Sequence, residues 1–183
     1  PLAGGVGQHP LGIRVGPERH VRPIDDRLDA ADISIALRAE TGIGDGAGAN
    51  NLDIDVTTVA FVNDTSGEVN IVGEGGGLTV DDVDGITTST AVDGGSVTAM
   101  SPLTISQDVN VGGDMTFTAG ANGAVAIDDL TIRGNSTVTL TSDTNGTLTF
   151  NAGEDIVFGN GAEEGDVVTA GNGTHTVQLN ADT

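Results

Sequence analysis

The chain of 183 residues contains no cysteine, tryptophan, tyrosine or lysine. The absence of cysteine excludes disulfide bonds, thiolate metal sites and cysteine nucleophiles. Acidic side chains number 27 against 6 basic ones, which gives a net charge of −21. Nucleic-acid binding needs clustered Lys and Arg that release counterions from phosphates, so this composition excludes it. No run approaches the ~18 consecutive apolar residues of a membrane helix, and we expect no transmembrane segment in this chain.

The motifs of common enzyme classes are also missing. A P-loop cannot form without lysine, and the chain has no Gly-x-Ser-x-Gly nucleophile elbow. His175 is the only histidine after residue 28, so a catalytic triad or a multi-histidine metal site would depend on it alone. The stretch from Gly44 to Ala49 matches Gly-x-Gly-x-x-Ala, but the alternating residues 52–56 follow where a dinucleotide fold needs a helix. We interpret this stretch as a turn and predict no catalytic, cofactor or metal site.

The composition divides the chain into two regions. Four of the five prolines and four of the six arginines lie before residue 28, where the charge is 4 − 3 = +1. The remainder has 2 basic and 24 acidic residues, so its charge is −22. Prolines at intervals of six to nine residues, with glycine between them, disfavour a helix or a central strand. We therefore interpret residues 1–28 as a linker or boundary segment and residues 29–183 as a repeat region.

The repeat region consists of short segments in which apolar and polar residues alternate. This period of two, with glycine, asparagine and aspartate between the segments, is typical of strands and turns, and helical spacing is nowhere sustained. The sequence therefore predicts an all-β fold with almost no helix. The predicted strands are 33–37, 52–56, 69–72, 78–80, 97–100, 103–106, 115–118, 130–132, 138–141, 148–150, 156–158 and 177–179.

Strands that follow a glycine-bearing turn recur at intervals of about 20 residues. Aligning them gives steps of 18, 23, 18 and 21 residues between Val97, Met115, Val138, Ile156 and Val177. A repeat of this length favours a β-solenoid whose coils stack on one another. The scarcity of aromatic residues agrees with a narrow aliphatic interior, since an immunoglobulin-like sandwich usually buries Trp or Tyr. An antiparallel β-sandwich is the alternative.

Several stretches resemble the repeats of filamentous haemagglutinin-type large exoproteins of bacteria. The resemblance covers about residues 30–183 and is carried by glycine, aspartate and alternating aliphatic residues, as in Asp32 to Leu37, Gly77 to Val80, Gly95 to Thr98 and Pro102 to Ile105. It implies a right-handed parallel β-helix, here with coils of about 20 residues. It also implies a non-enzymatic adhesive segment of a large secreted or cell-surface protein, whose partner is a host or environmental surface, glycans included. We identify no secretion or anchoring domain in the chain.

A β-helical carbohydrate-active enzyme is one alternative function. Polysaccharide lyases need a cationic residue at the reacting centre, and the repeat region offers only Arg38 and Arg133. Asp64 and the pair Asp128-Asp129 resemble the acid and base of galacturonases, but 65 residues separate Asp64 from Asp129 and no confirming motif accompanies them. Solvated turn aspartates explain these residues equally well.

Ice binding and calcium binding are two further alternatives. Thr98, Thr116 and Thr139 form an expected outward column, which the neighbouring Thr118 and Thr141 extend into Thr-x-Thr pairs. Asp81-Asp82-Val83-Asp84-Gly85 clusters carboxylates beside a glycine, an arrangement that suits a structural calcium ion. The spacing fits neither an EF-hand nor the nine-residue calcium-binding repeat, and solvated loop acids are the simpler interpretation.

Overall fold

The computed structural model describes residues 33–44, 51–120, 128–159 and 163–181, and all regular structure within these ranges is β. The predicted linker, residues 1–28, lies outside the described residues. The strands are β1 (Ser34–Ala39), β2 (Leu52–Ile54), β3 (Thr58–Asn63), β4 (Val69–Gly73), β5 (Leu78–Val80), β6 (Thr88–Ala91), β7 (Gly95–Ala99), β8 (Leu103–Ile105), β9 (Asp108–Val111), β10 (Met115–Ala119), β11 (Leu130–Ile132), β12 (Thr137–Leu140), β13 (Gly146–Ala152), β14 (Ile156–Phe158), β15 (Asp166–Thr169) and β16 (His175–Asn180).

These strands form a ten-stranded sheet and a six-stranded sheet. Three ladders of parallel strands can be traced in them. The first ladder is β5-β8-β11-β14, and the second is β6-β9-β12-β15. The third ladder, β2-β4-β7-β10-β13-β16, is the six-stranded sheet. Strand β3 joins the first two ladders, because its beginning pairs with β5 and its end pairs with β6, while β1 lies on its other edge.

The predicted fold class is wrong in both of its forms. The antiparallel β-sandwich is wrong because every pair of named strands is parallel. The right-handed parallel β-helix with coils of about 20 residues is wrong because paired residues are offset by amounts that run from 19, for Leu52 and Ile71, to 33, for Met115 and Leu148. Two parallel sheets instead enclose one apolar core in a nearly closed arrangement.

The error has a physical origin in the predicted column. The structure places Val138 in the second ladder and Ile156 in the first, and it pairs Val97 with Phe117 rather than with Met115. All three ladders use the same alternation of apolar and polar residues, so the alternation alone does not assign a strand to a ladder. Connections of different length between the strands then produce unequal offsets.

The core lies between the sheets and is built from the inward-facing residue of each apolar–polar pair. In the first ladder the strands read Leu-Thr-Val or Leu-Thr-Ile, and both aliphatic residues of each are fully buried while the threonine is half-buried. Because the strands are parallel, like residues stack from one strand to the next. Burial of each such side chain stabilises the fold by about 1.5–3 kcal/mol.

Candidate functional site

The outward face of the six-stranded sheet carries two rows of small polar side chains. We call this surface the polar face. Within each row, the residues are paired in register across successive strands, at the ~4.8 Å spacing of a β-sheet. One row is Asn70, Ser96, Thr116, Thr149 and Gln178, and the other is Val72, Thr98, Thr118, Asn151 and Asn180. Ten outward positions on five strands therefore include nine hydroxyl or amide groups.

Hydrogen bonds between strands hold several of these side chains in place. The Ser96 hydroxyl donates to Oδ1 of Asn70 at 2.9 Å. The Asn151 amide donates to Oγ1 of Thr118 at 3.3 Å, and the Asn180 amide donates to Oδ1 of Asn151 at 2.8 Å. Side chains that are already ordered lose less conformational entropy when they bind a partner. The polar face is therefore flat, regular and partly pre-organised.

The structure does not form the predicted threonine column. Thr98 and Thr118 pair with each other, but Thr116 belongs to the other row of the polar face. Thr139 lies in the second ladder, on β12. Thr141 follows that strand, and its hydroxyl donates to the Val111 carbonyl at 3.1 Å. The five threonines are thus distributed over two sheets.

A different threonine row, which the sequence analysis missed, runs along the outer side of the first ladder. Four threonines are paired in register across β3, β5, β8 and β11, and Val157 on β14 ends the row. They are Thr58, Thr79, Thr104 and Thr131. The repeated triplets Leu-Thr-Val and Leu-Thr-Ile were the signal that could have revealed this row.

The structure separates the acidic residues of the enzyme alternative. Asp64 follows the end of β3 that pairs with the second ladder, and its Oδ1 accepts a hydrogen bond from the Thr90 hydroxyl at 3.0 Å. Asp128 and Asp129 immediately precede β11 in the first ladder. Asp128 is 0% exposed, and Oδ1 of Asp129 accepts a hydrogen bond from the Asp155 amide at 3.2 Å. The acid and base of one reaction must flank the same bond, and these residues do not share a cleft.

Asp64 lines two shallow clefts at the end of the second ladder. The larger cleft has a volume of about 360 Å³ and lies among Arg38, Ala39, Glu40, Val62 and Asp64. The smaller cleft, of about 200 Å³, is lined by Asn63, Asp64, Thr90, Val92, Asn110, Gly112 and Thr141. Neither Asp128 nor Asp129 lines either cleft. The clefts therefore bring no second sequence-predicted carboxylate to Asp64.

The remaining candidates for catalysis also occupy structural positions. Nε2 of His175 is 2.9 Å from the Ser142 carbonyl oxygen, so the protonated ring nitrogen donates to the backbone. Arg133 is exposed just after β11, and its backbone amide donates to the Ile105 carbonyl. Neither residue is placed beside Asp64, Asp128 or Asp129 by these contacts.

The acidic stretch from Asp81 to Gly85 forms a tight turn. Asp84 and Gly85 have φ angles of 51° and 75°, and the Ile86 amide donates to the Val83 carbonyl at 3.0 Å, which is the geometry of a type I′ turn. The Arg38 guanidinium donates to the Asp84 carbonyl at 2.9 Å. In the described ranges, no group of three or more His, Cys, Asp or Glu residues is arranged to hold a metal ion. A guanidinium thus supplies the positive charge at this turn.

The described part of the chain also contains no helix that is long and apolar enough to cross a membrane, as the lack of a long apolar run predicts. Comparison of the chain with protein-family models, with curated proteins and with solved structures found no match. The resemblance to filamentous haemagglutinin-type exoproteins, and the adhesive function that it implies, stay predictions.

Proposed function

We propose that this chain is a non-enzymatic adhesive segment of a large secreted or cell-surface bacterial protein, and that its polar face contacts a host or environmental surface. The observation that carries this proposal is the register of the polar face. Nine hydroxyl and amide groups recur there in two rows, and hydrogen bonds between strands order several of them. Such a surface offers many equivalent polar contacts along one direction.

Multivalency explains how such a face can bind without a deep pocket. Each hydroxyl or amide contributes a weak contact, but contacts on a rigid surface act together because the first one brings the others to their partners. A partner with regularly spaced hydroxyl groups, such as a polysaccharide, suits these donors and acceptors. The net charge of −21 favours neutral or cationic surfaces over polyanions, which the field of the protein repels.

The proposal is tested with two matched lysine variants. Thr116→Lys places a long charged side chain in the middle of the polar face, whereas Thr104→Lys makes the same change at a half-buried outward threonine of the first ladder. Binding is measured on immobilised cellulose, chitin and mannan. We expect T116K to weaken binding by about tenfold or more and T104K to change it by less than about twofold.

Two results would overturn the proposal. One is a wild-type chain that binds none of the three polysaccharides and no fixed eukaryotic or bacterial cells. The other is equal binding by T116K and T104K, which would place the contact away from the polar face. Unfolding midpoints of both variants, measured by circular dichroism, show that the lysines leave the fold intact.

Ice binding is a second candidate, because the structure contains the four-threonine row of the first ladder. A row of threonines in register presents methyl and hydroxyl groups at the spacing of the strands, which is a regular array on a rigid surface. Thermal hysteresis of the purified chain measures this activity, and a wild-type chain without hysteresis excludes it. If the row binds ice, T104K abolishes hysteresis and T116K retains it, which is the reverse of the result for adhesion.

A further inference from the structure

One end of the molecule consists of strands that are paired on one edge only. Strands β14, β15 and β16 are the last members of the three ladders, and within the described residues each pairs with a single neighbour: β11, β12 and β13, respectively. The other edge of each strand presents backbone amide and carbonyl groups. Such edges are ready templates for pairing with further strands.

The same end exposes side chains that occupy inner positions of the ladders. Phe158 is 41% exposed, Val177 42% and Leu179 53%. Their register partners in the preceding strands are Ile132, Leu148 and Phe150, which are all fully buried. The three end residues are therefore exposed because no further layer covers them, and not because they face outward. Apolar groups beside unpaired strand edges mark an interaction surface.

The opposite end has a matching construction. Strand β1 pairs with β3 and strand β2 pairs with β4, and within the described residues neither has a second strand neighbour. Their inward residues Ile35, Leu37 and Leu52 are only half-buried. Strand β1 has six residues and is paired along its whole length with the six residues of β3.

The interior of the chain shows how two ends of this kind fit together. Strand β3 lies across two ladders, since Thr58 and Val59 pair with β5 whereas Val62 and Asn63 pair with β6. Strand β4 pairs with β7 in the same layer. One long strand and one shorter strand thus stack on three strands. Strands β1 and β2 repeat the first set, and strands β14, β15 and β16 repeat the second.

We propose that copies of this chain associate head to tail, with β1 and β2 of one copy pairing in parallel with β14, β15 and β16 of the next. Continuing the register of the existing ladders places Ser34 opposite Val157, Ile35 opposite Phe158 and Leu52 opposite Leu179. The contact buries the exposed inner residues of both ends and pairs all the free edges. Because the two surfaces differ, the association is open and produces linear chains.

The charge of the protein sets the conditions for this association. Each copy has a net charge of −21, so two copies repel each other at low ionic strength. Salt screens this repulsion, while the burial of apolar groups and the pairing of strand edges do not depend on it in the same way. Association should therefore strengthen as the salt concentration rises. This inference does not depend on what the polar face binds.

Size-exclusion chromatography with light scattering tests the proposal on the full chain in about 50 mM and about 500 mM NaCl. We expect the mass of the wild type to rise at least about twofold between these conditions. Leu179→Lys should remain monomeric in both, because it places a charge in the contact. The control Val157→Lys alters an outward-facing residue of the same end layer and should associate like the wild type. Wild type that stays monomeric at high salt overturns the proposal.

Two further experiments establish the arrangement. Leu52→Lys and Leu179→Lys should each be monomeric alone and form a heterodimer when mixed, whereas tail-to-tail contact would leave L52K dimeric and would overturn the proposal. The chain has no cysteine, so Ser34→Cys and Val157→Cys in one molecule introduce a unique pair. Oxidation should link this double variant into a ladder of oligomers, because paired strands bring Cα atoms within disulfide range. Each variant with one cysteine should yield no species larger than a dimer, and the absence of the ladder contradicts the proposed register.

Discussion

The phenyl rings of Phe117 and Phe150 stack in the core, with their centroids 5.5 Å apart and an angle of 12° between their planes. The two residues are register partners on β10 and β13 of the six-stranded sheet, and both are fully buried. Stacking follows directly from the parallel register, which places identical side chains one above the other. Two of the chain's four phenylalanines therefore contribute to the same row of the core.

Phe150→Ala should remove much of the stability of the chain. We expect it to lower the free energy of unfolding by about 3–5 kcal/mol, because it loses the buried ring and leaves a cavity beside Phe117. Thr149→Ala, the outward neighbour on the same strand, should cost less than about 1 kcal/mol. Urea unfolding measures both variants. A loss below about 1 kcal/mol for F150A would show that the core collapses around the missing ring.

Gly94→Ala should also be strongly destabilising, for a backbone reason. Gly94 has a φ of 81°, and a Cβ atom at this position would lie 1.9 Å from the carbonyl oxygen of Asp114. We expect a loss of at least about 2 kcal/mol, from left-handed strain together with the clash against backbone. Gly76→Ala is the matched control, since its Cβ would meet nothing within 4 Å. Equal unfolding midpoints for the two variants would contradict this account.

Asn63→Ala should destabilise the turn region beside the second ladder. Asn63 is fully buried, its amide donates to the Gly67 carbonyl, and its Oδ1 accepts the Gly42 amide at 3.1 Å. Its removal leaves two backbone groups without this partner, at a cost of about 1–3 kcal/mol for each group that stays buried. Asn110→Ala, an exposed residue on β9, provides the control and should change stability by less than about 0.5 kcal/mol. Similar losses for both variants would refute the role of the buried amide.

Calcium should not stabilise the acidic turn from Asp81 to Gly85. The turn is closed by the hydrogen bond from Ile86 to Val83, and Arg38 already donates to the Asp84 carbonyl. A cation that bound the folded state would raise the melting temperature with its concentration. We expect the melting temperature to stay within about 1 °C when about 5 mM calcium is added and then chelated with EDTA. A clear rise with calcium that EDTA reverses would restore the calcium hypothesis.

The accuracy of the strand prediction depends on how regularly apolar and polar residues alternate. Predicted strand 130–132 coincides with β11, and predicted strand 103–106 contains β8. The sequence analysis missed β3, β6, β9 and β15. Strand β3 contains a continuous apolar run from Val59 to Val62, and β6 places Ser89 at a fully buried inner position. In these two strands the tertiary environment accommodates residues that break the local pattern.

The missed strands also explain why the candidate surfaces were assigned incorrectly. Without β3, β6 and β9, most of the second ladder is invisible, and threonines of different ladders appear to form one column. Thr139 was placed with Thr98 for this reason. Asp128 shows a second limit, since nothing in its sequence context distinguishes a fully buried carboxylate from the solvated turn aspartates around it.

By itself, the sequence determined the β content of the described residues, the inward and outward positions of many strands and the acidic exterior. These properties depend on local alternation and on composition, which are visible in the chain. Tertiary structure alone decided which strands pair, the register offsets from 19 to 33 residues, the rows of the polar face and the apolar end at Phe158 and Leu179. Pairing in a parallel sheet joins residues that are distant in sequence, and the length of each connection sets the register. A pattern of period two contains no information about either.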